Sequence, residues 1–472
     1  MKRVKYALLF GAALSLLGAC SLAPPLKTPT IPTAVAYKEN GPWTQAEPAD
    51  RLPRDSWWAL YGNPELDELE TKLISGNPTL AAAVANYAQE RALADQARAG
   101  LFPTLGLNAS AQRNRESVNA PLRGPTTPTY YNTNTLGGSV SYELDLWGQI
   151  RNEVAAGEAN AAASAADLEN ARLSLIAQLV DDYVQLRSLD RDGAILDESV
   201  KAFDRALALT QQRHDAGIAP GLDVAQAQTQ LNVARSQAAQ TLAARALMEH
   251  AIAALLGVSA STFSIKPAIV DVALPRIPSG VPTTLLERRP DIAAAQRRMI
   301  AANANIGVAR AAYFPSLTLG AQGGFQSSAV SNWLSAPSSF WAIGPNALLS
   351  VFDGGLRRAQ VAQARAAFDT SAANYRSTVI TAFQQVEDSL ATLNHYHDAA
   401  IDEKAAVDAA QRSLDFSMAL YKQGATDYLT VVTSQTALLQ AQIEALNLDT
   451  LQLTASVDLI RALGGGWQDS PS

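Results

Sequence analysis

From Gly148 to about Asp215 the chain contains no proline, and alanine, leucine, glutamine, glutamate and arginine dominate the run. All five favour helix, so the run predicts one helix of about 65 residues, roughly 100 Å long at 1.5 Å per residue. Phe352 to Gln423 is a second proline-free run of the same kind. A globular core has no use for two helices of that length, which removes most compact folds. Each run ends in turn chemistry, Gly217-Ile218-Ala219-Pro220 before Leu222 to Leu256 and Gly424-Ala425 before Tyr428 to Leu463. Glycine suits a left-handed helix cap, and Pro220 suits a first helical turn. The apolar seam Leu168, Leu175, Leu179 and Tyr183 fits helix–helix contact, and the many alanines let axes approach closely. The prediction is an antiparallel coiled hairpin, present twice: helices over about 148–216 and 220–257, then about 353–423 and 427–464.

The chain is also written twice. Asn77-Pro78-Thr79-Leu80 opens an alanine-rich run that closes at Ala99-Gly100-Leu101-Phe102-Pro103. Arg289-Pro290-Asp291-Ile292 opens a similar run that closes at Ala311-Ala312-Tyr313-Phe314-Pro315. Pro78 and Pro290 lie as far apart as Pro103 and Pro315. Gly217 and Gly424 lie as far apart as Gly257 and Gly464, at a slightly shorter separation. The lost residues therefore fall among the strands and loops, where length changes are tolerated. This gives one repeat over 78–260, a linker over 261–289 and a second repeat over 290–467, with an equatorial segment over 56–77 and a tail over 468–472.

Each repeat carries two alternating segments. Leu105, Leu107, Ala109 and Ala111 alternate with Gly106, Asn108, Ser110 and Gln112, predicting a strand over about 104–113. Leu136, Gly138, Val140, Tyr142, Leu144 and Leu146 alternate with Gly137, Ser139, Ser141, Glu143 and Asp145, predicting another over about 135–147. The second repeat offers about 316–326 and, with poorer alternation and Pro345 inside it, about 340–352. Segments of about 10 residues with one apolar face suit an outer-membrane barrel, but a half-buried soluble sheet alternates identically. Four strands cannot close a barrel, since the smallest membrane barrels have about eight, and open edges cannot sit in lipid. Three copies would supply about 12 strands, an even number that closes. On that reading Glu143 and Asp145 face the lumen, and Trp147 and Trp341 sit in aromatic girdles at the rims.

The N-terminus points to the compartment. Lys2, Arg3 and Lys5 precede a short apolar run, Tyr6 to Leu17, which is too short to span a bilayer and reads as a signal peptide over 1–19. Leu17-Gly18-Ala19-Cys20 resembles the lipobox of bacterial lipoproteins, which implies a covalent lipid on Cys20, and Ser21 leans toward outer-membrane sorting. Cys20 is the only cysteine, so no internal disulfide is possible. Residues 20–55 hold seven prolines and read as an extended, lipidated tether. Net charge is −7, and loss of the signal's three basic residues makes the mature chain more acidic, which argues against nucleic acid as a partner. Beyond the signal no apolar run reaches the roughly 18 residues of a transmembrane helix.

Four motifs carry a family resemblance: Ser56-Trp57-Trp58-Ala59-Leu60-Tyr61 with Asn63-Pro64-Glu65-Leu66, Glu287-Arg288-Arg289-Pro290-Asp291-Ile292, Ala309-Arg310-Ala311-Ala312-Tyr313-Phe314-Pro315-Ser316, and Arg461-Ala462-Leu463-Gly464-Gly465-Gly466-Trp467. Together they resemble outer-membrane efflux proteins of the TolC-like family, in the lipoprotein (NodT-type) branch associated with resistance-nodulation-division pumps. The resemblance runs over about residues 55–467. It implies an α+β membrane protein: a trimeric 12-stranded transmembrane β-barrel, four strands per protomer, continuous with a coiled-coil helical barrel in the periplasm. It further implies a homotrimer in the outer membrane that docks to a periplasmic adaptor (membrane fusion) protein and an inner-membrane pump. A periplasmic gate maps to Leu222, Asp223, Tyr421, Asp427, Leu429, Thr430 and Thr433, and adaptor contact to Gly217, Ile218, Gly424 and Ala425. Family members often carry aspartate at the Thr430 or Thr433 position, so this chain departs from the pattern and a weaker cation site at the gate is expected. Asp223 and Asp427 read equally as charges that stabilise helix N-termini.

Enzyme signatures are missing. His395 and His397 stand two apart on a predicted helix and point to different sides, so no metal pair forms. No Walker loop, dinucleotide fingerprint or nucleophile elbow occurs, so no cofactor is expected and conduction should be passive. The favoured reading is the exit duct of a tripartite efflux system carrying small amphiphiles. The same duct could serve type I protein secretion or metal-ion export, and a third reading is a non-conducting periplasmic lipoprotein scaffold.

Overall fold

The computed structural model describes residues 21–30, 37–39, 56–119, 121, 124, 126–275, 277 and 289–465. The signal segment 1–19, Cys20 and the tail 468–472 lie outside the described residues. Seven α-helices occur among them: α1 Pro64–Gly76, α2 Pro78–Ala99, α3 Gln149–Asp215, α4 Gly221–Leu255, α5 Pro290–Ala311, α6 Leu356–Lys422 and α7 Tyr428–Ala462. Four strands accompany them: β1 Thr104–Arg115, β2 Tyr130–Glu143, β3 Ser316–Ser327 and β4 Ser339–Leu348. Within each repeat the order is helix, two strands, a 67-residue helix and a 35-residue helix. The chain divides into two compact units, 1–30 with 86–165 and 294–376, and 31–85 with 166–293 and 377–472.

The first unit holds the sheet, ordered β1-β2-β3-β4 with every pair antiparallel. Leu105 pairs with Val140, Tyr142 with Leu319, and Ala321 with Ile343. Because paired residues share a face, one face collects Leu105, Leu107, Val140, Leu319, Phe325, Trp341 and Ile343. The other collects Asn108, Ser110, Ser139, Ser141, Gln322 and Asn346. The apolar face is bare: Leu105 is 80% exposed, Leu107 82% and Trp341 79%. Two expected strand spans need correction. β2 ends at Glu143 rather than 147 and begins at Tyr130, because Leu144 to Trp147 turn into α3. β4 ends at Leu348 rather than 352, with Pro345 tolerated inside an edge strand.

Helices in this unit meet over small residues. Ala156, Ala159, Ala301 and Ala304 form a buried cluster, and a Cβ on Gly157 would come within 3.2 Å of Ala94 Cα. The segment after Cys20 is also held here. The Ser21 hydroxyl donates to Asn152 Oδ1 (2.8 Å), Asn303 Nδ2 to the Pro24 carbonyl (2.9 Å) and Arg310 Nη1 to the Leu22 carbonyl (3.1 Å).

The second unit contains the largest core, in which Trp57, Trp58, Tyr61, Leu66, Ile176, Leu179, Tyr183, Val386 and Ile460 are buried together. Burying each such side chain contributes about 1.5–3 kcal/mol. Polar pins fix it: the Tyr61 and Ser456 hydroxyls meet at 2.8 Å, and buried Arg187 pairs with Glu65 and Asp190. Asp190 also accepts from Arg245 Nε (2.6 Å) and the Ala268 N–H (3.1 Å), tying part of the 261–289 linker to the helices. Tyr37 is buried in this core, and Glu387 accepts from the Lys38 and Glu39 N–H groups at 2.8 and 3.1 Å. The tether expected over 20–55 is held to the folded body at two described places, through the Leu22 and Pro24 carbonyls and through the Lys38 and Glu39 N–H groups.

Candidate functional site

Two helix turns in the second unit form the first candidate site. Gly217, after α3, has φ 73°, and Gly424, after α6, has φ 75°. The Ile218 N–H reaches back to the Arg213 carbonyl at 2.8 Å, and the Ala425 N–H to the Leu420 carbonyl at 2.9 Å. Both are Schellman closures, which need the left-handed conformation that glycine adopts at least cost. Gly217, Ile218, Gly424 and Ala425 are all exposed, and Ile218 offers a large apolar side chain at the tip.

Behind the turns the Tyr421 and Tyr428 rings lie 5.3 Å apart, in a buried cluster with Ala206, Ala227 and Val431. The Arg213 guanidinium stands 4.8 Å over the Tyr421 ring and Nη1 donates to the Lys422 carbonyl, binding the end of α3 to the end of α6. Asp427 caps α7, accepting from the Thr430 hydroxyl (2.7 Å) and N–H (3.0 Å), and these donors hold its carboxyl below the usual range. Asp223, in the first turn of α4, shifts the other way. Partial burial raises it, the charge of Asp427 adds to the rise, and Arg213 opposes both. The Thr433 hydroxyl donates to the Leu429 carbonyl at 2.8 Å, and Leu222 and Leu429 stay exposed. The turns thus gather Arg213, Tyr421, Asp223 and Asp427, while both threonine hydroxyls are already engaged. Sequence reasoning missed Arg213; the signal available was a basic residue in the last turn of α3, ahead of Gly217.

The second candidate site is the set of strand–helix junctions in the first unit. Asp145 does not belong to a strand face. Its carboxylate accepts from the Ile150 N–H (3.2 Å), the Arg151 N–H (3.0 Å) and Arg151 Nε (3.1 Å), so it caps α3, and the strand alternation from which a lumen position was expected does not extend to it. Asp353 does the same for α6, accepting from the Gly355 N–H at 2.9 Å and Arg357 Nε at 2.5 Å. Trp147 likewise sits in a joint rather than on a strand rim: it stacks on Phe314 with ring centroids 4.6 Å apart and donates from Nε1 to the Pro315 carbonyl (2.8 Å). Glu143 is the last residue of β2, exposed on the polar face opposite Thr318, and Trp341 lies on the apolar face of β4. Among the described residues no three or more His, Cys, Asp or Glu gather in a group that could hold a metal. No helix among them is long and apolar enough to cross a membrane.

A one-sided sheet beside paired long helices is specific enough to compare with known proteins. The outer membrane efflux protein model matches residues 70–258 and 281–465, one stretch per repeat. The chain belongs to the outer membrane efflux protein family. It is 31% identical to the toluene efflux pump outer membrane protein TtgC of Pseudomonas putida, over 96% of this chain and 94% of that one. It is 34% identical to the pyoverdine export outer membrane protein OpmQ of Pseudomonas putida, over 98% and 97%. The crystal structure of the CmeC outer membrane channel of Campylobacter jejuni is similar in fold, with a TM-score of 0.89, 25% identity and 96% of each chain covered. This efflux protein is an outer-membrane channel subunit of an efflux system, with the TolC-like combination of long helices and a small strand sheet.

Proposed function

We propose that three copies close a 12-stranded barrel in the outer membrane, and that the helices form its periplasmic duct. The carrying observation is the sheet: four strands with one bare apolar face, one polar face and, among the described residues, no partner on the outer edges of β1 or β4. Such edges are stable in lipid only when paired by further copies. Glu143 on the polar face would line the lumen, and Trp341 on the apolar face would meet the headgroups. Cys20, directly ahead of the held Ser21–Pro24 segment, would carry the lipid anchor.

The gate reading places closure at the Arg213–Tyr421–Tyr428 cluster, with Asp223 and Asp427 beside it. Adaptor contact falls on the exposed turns, Gly217-Ile218 and Gly424-Ala425, and an inner-membrane pump supplies the energy that this chain has no means of harvesting. Relatives named for toluene, antibiotics and pyoverdine support a cargo of small organic molecules. The test is planar-bilayer conductance of the purified Cys20→Ser protein together with its mass in detergent. Discrete, low-conductance openings from a trimer are expected; a monomer that inserts nowhere and conducts nothing would overturn the proposal.

A further inference from the structure

Row by row, the polar face of the sheet is built of small or hydrogen-bonding residues, and one row breaks that rule. Phe340 pairs with Gly324, Gly324 with Gly137, and Gly137 with Asn108, so all four share the polar face. Between the ends of that face, which carry Tyr131 and Leu348, Phe340 is the one large apolar side chain among the described residues. Its ring does not stand up from the sheet. Of the 10 residues of β4, Phe340 is half-buried and the others are exposed. The cover comes from the glycines. A Cβ on Gly137, two strands away, would meet Phe340 Cζ at 3.4 Å, so the ring lies across Gly324 and reaches Gly137. Gly324 admits no side chain in that row, because a Cβ there would fall 2.5 Å from the Gly137 Cα. Gln322 and Gln326, both exposed, flank Gly324 on the same face, and Gln326 Nε2 donates to the Thr135 hydroxyl at 3.4 Å. The row is an aromatic floor with an amide side chain on either side.

We propose that Phe340 is a cargo-contact residue of the duct, a platform on which flat aromatic parts of exported molecules stack while the Gln322 and Gln326 amides meet their hydrogen-bonding edges. This rests on the trimeric reading above, in which the polar face lines the lumen, and it adds a cargo chemistry to that reading. Phe340 is the second residue of β4 after the β3–β4 loop, at the end of the sheet away from the strand–helix junctions. Three copies would therefore place a collar of aromatic rings at the outer mouth. The glycines let each ring lie against the wall, which keeps the bore open and leaves one ring face toward the lumen. An aromatic laid over cross-strand glycines also stabilises a sheet, and a leucine would supply much of the same bulk. What the aromatic alone adds is a planar π face, whose contact with another ring is favourable beyond the area it buries.

The experiment is saturation-transfer NMR on the full-length chain in lipid nanodiscs. The probe is benzamide, and the control is cyclohexanecarboxamide, which carries the same amide on a ring that is not planar. The benzamide ring protons should be saturated by the parent and by Phe340→Tyr, and the control more weakly. Phe340→Leu, which keeps bulk over the glycines, should lower the benzamide signal about fivefold, the loss expected for one aromatic contact. Phe340→Ala should lower it at least as far, and both variants should keep the parent's trimeric mass. An undiminished signal in Phe340→Leu, or no saturation in a trimeric parent, would overturn the platform and leave the duct standing. A parent of monomeric mass would overturn the duct and the platform together.

Discussion

Glu70, in α1, is fully buried, and neither of its carboxyl oxygens has a hydrogen-bond partner. Burial first, and then the charge of Asp67, pushes its pKa up to about 9 from an ordinary 4.5. The folded chain therefore holds this proton where the unfolded chain releases it. Stability from this group is intact below about pH 4.5 and is lost progressively as pH rises toward 9. Glu70→Gln, which removes the titration, should lie nearest the parent at about pH 5 and exceed it by on the order of 3 kcal/mol at pH 7, the gap widening toward pH 9. Melting temperatures of the two proteins from pH 5 to 9 check this; parallel curves would show that Glu70 is solvated. The sequence could not reveal such a residue, because a glutamate beside Leu66, Leu69 and Leu73 reads as the edge of a solvated face. Asp145 and Trp147 were misread for a related reason. Their alternation with Leu144 and Leu146 continues the period of β2, and only the hydrogen bonds to Ile150, Arg151 and Pro315 show that the strand has ended. The turns were legible because Gly217 and Gly424 carry backbone requirements that few other residues meet.

At the scale of elements, not all glycines with positive φ matter alike. A Cβ on Gly217 would meet nothing within 4 Å, so Gly217→Ala costs only the left-handed backbone, about 1–2 kcal/mol. Gly257, the cap after α4, has φ 71°, and its added Cβ would collide with the carbonyl of Gly76 at the end of α1. Gly257→Ala should therefore cost several kcal/mol and lower the yield of folded protein. Gly217→Ala should fold and show faster amide exchange confined to about residues 213–219. Hydrogen-exchange mass spectrometry of both variants checks the contrast, and equal effects would mean that the turn after α3 is as tightly packed as the α1–α4 contact. The two long helices were legible from the sequence because proline-free runs of helix formers have no competing structure to adopt. The strands were less so. A short alternating run marks a face but not an end, which is why β2 starts earlier, and both β2 and β4 stop sooner, than the pattern alone suggested.

For the whole molecule, ion block at the proposed gate depends on how much negative charge the turns present. The positions where the family often carries aspartate are threonines here, and both hydroxyls are engaged, Thr430 by Asp427 and Thr433 by the Leu429 carbonyl. Asp427 is committed to capping α7, and Asp223 is partly buried and shares its neighbourhood with Arg213. A trimer then offers three copies of a partly neutralised carboxylate rather than a ring of free aspartates, and rings of fixed charge are what attract cations into a constriction. Millimolar divalent cation should lower single-channel conductance by less than about twofold. Thr430→Asp should deepen the block by restoring the ring charge. The small block of the parent channel should fade as pH falls, with Asp223 taking up its proton before Asp427, since the first pKa is raised and the second lowered. Strong block in the parent that Asp223→Asn abolishes would show the opposite, that Asp223 alone supplies an effective acidic ring and that Arg213 leaves its charge free. The arginine decides between these outcomes. Arg213→Gln removes the charge that opposes the rise at Asp223 and loosens the contact with Tyr421, so it should increase both divalent block and open time. A change in block alone would assign Arg213 to electrostatics, and a change in open time alone to the packing that joins α3 to α6.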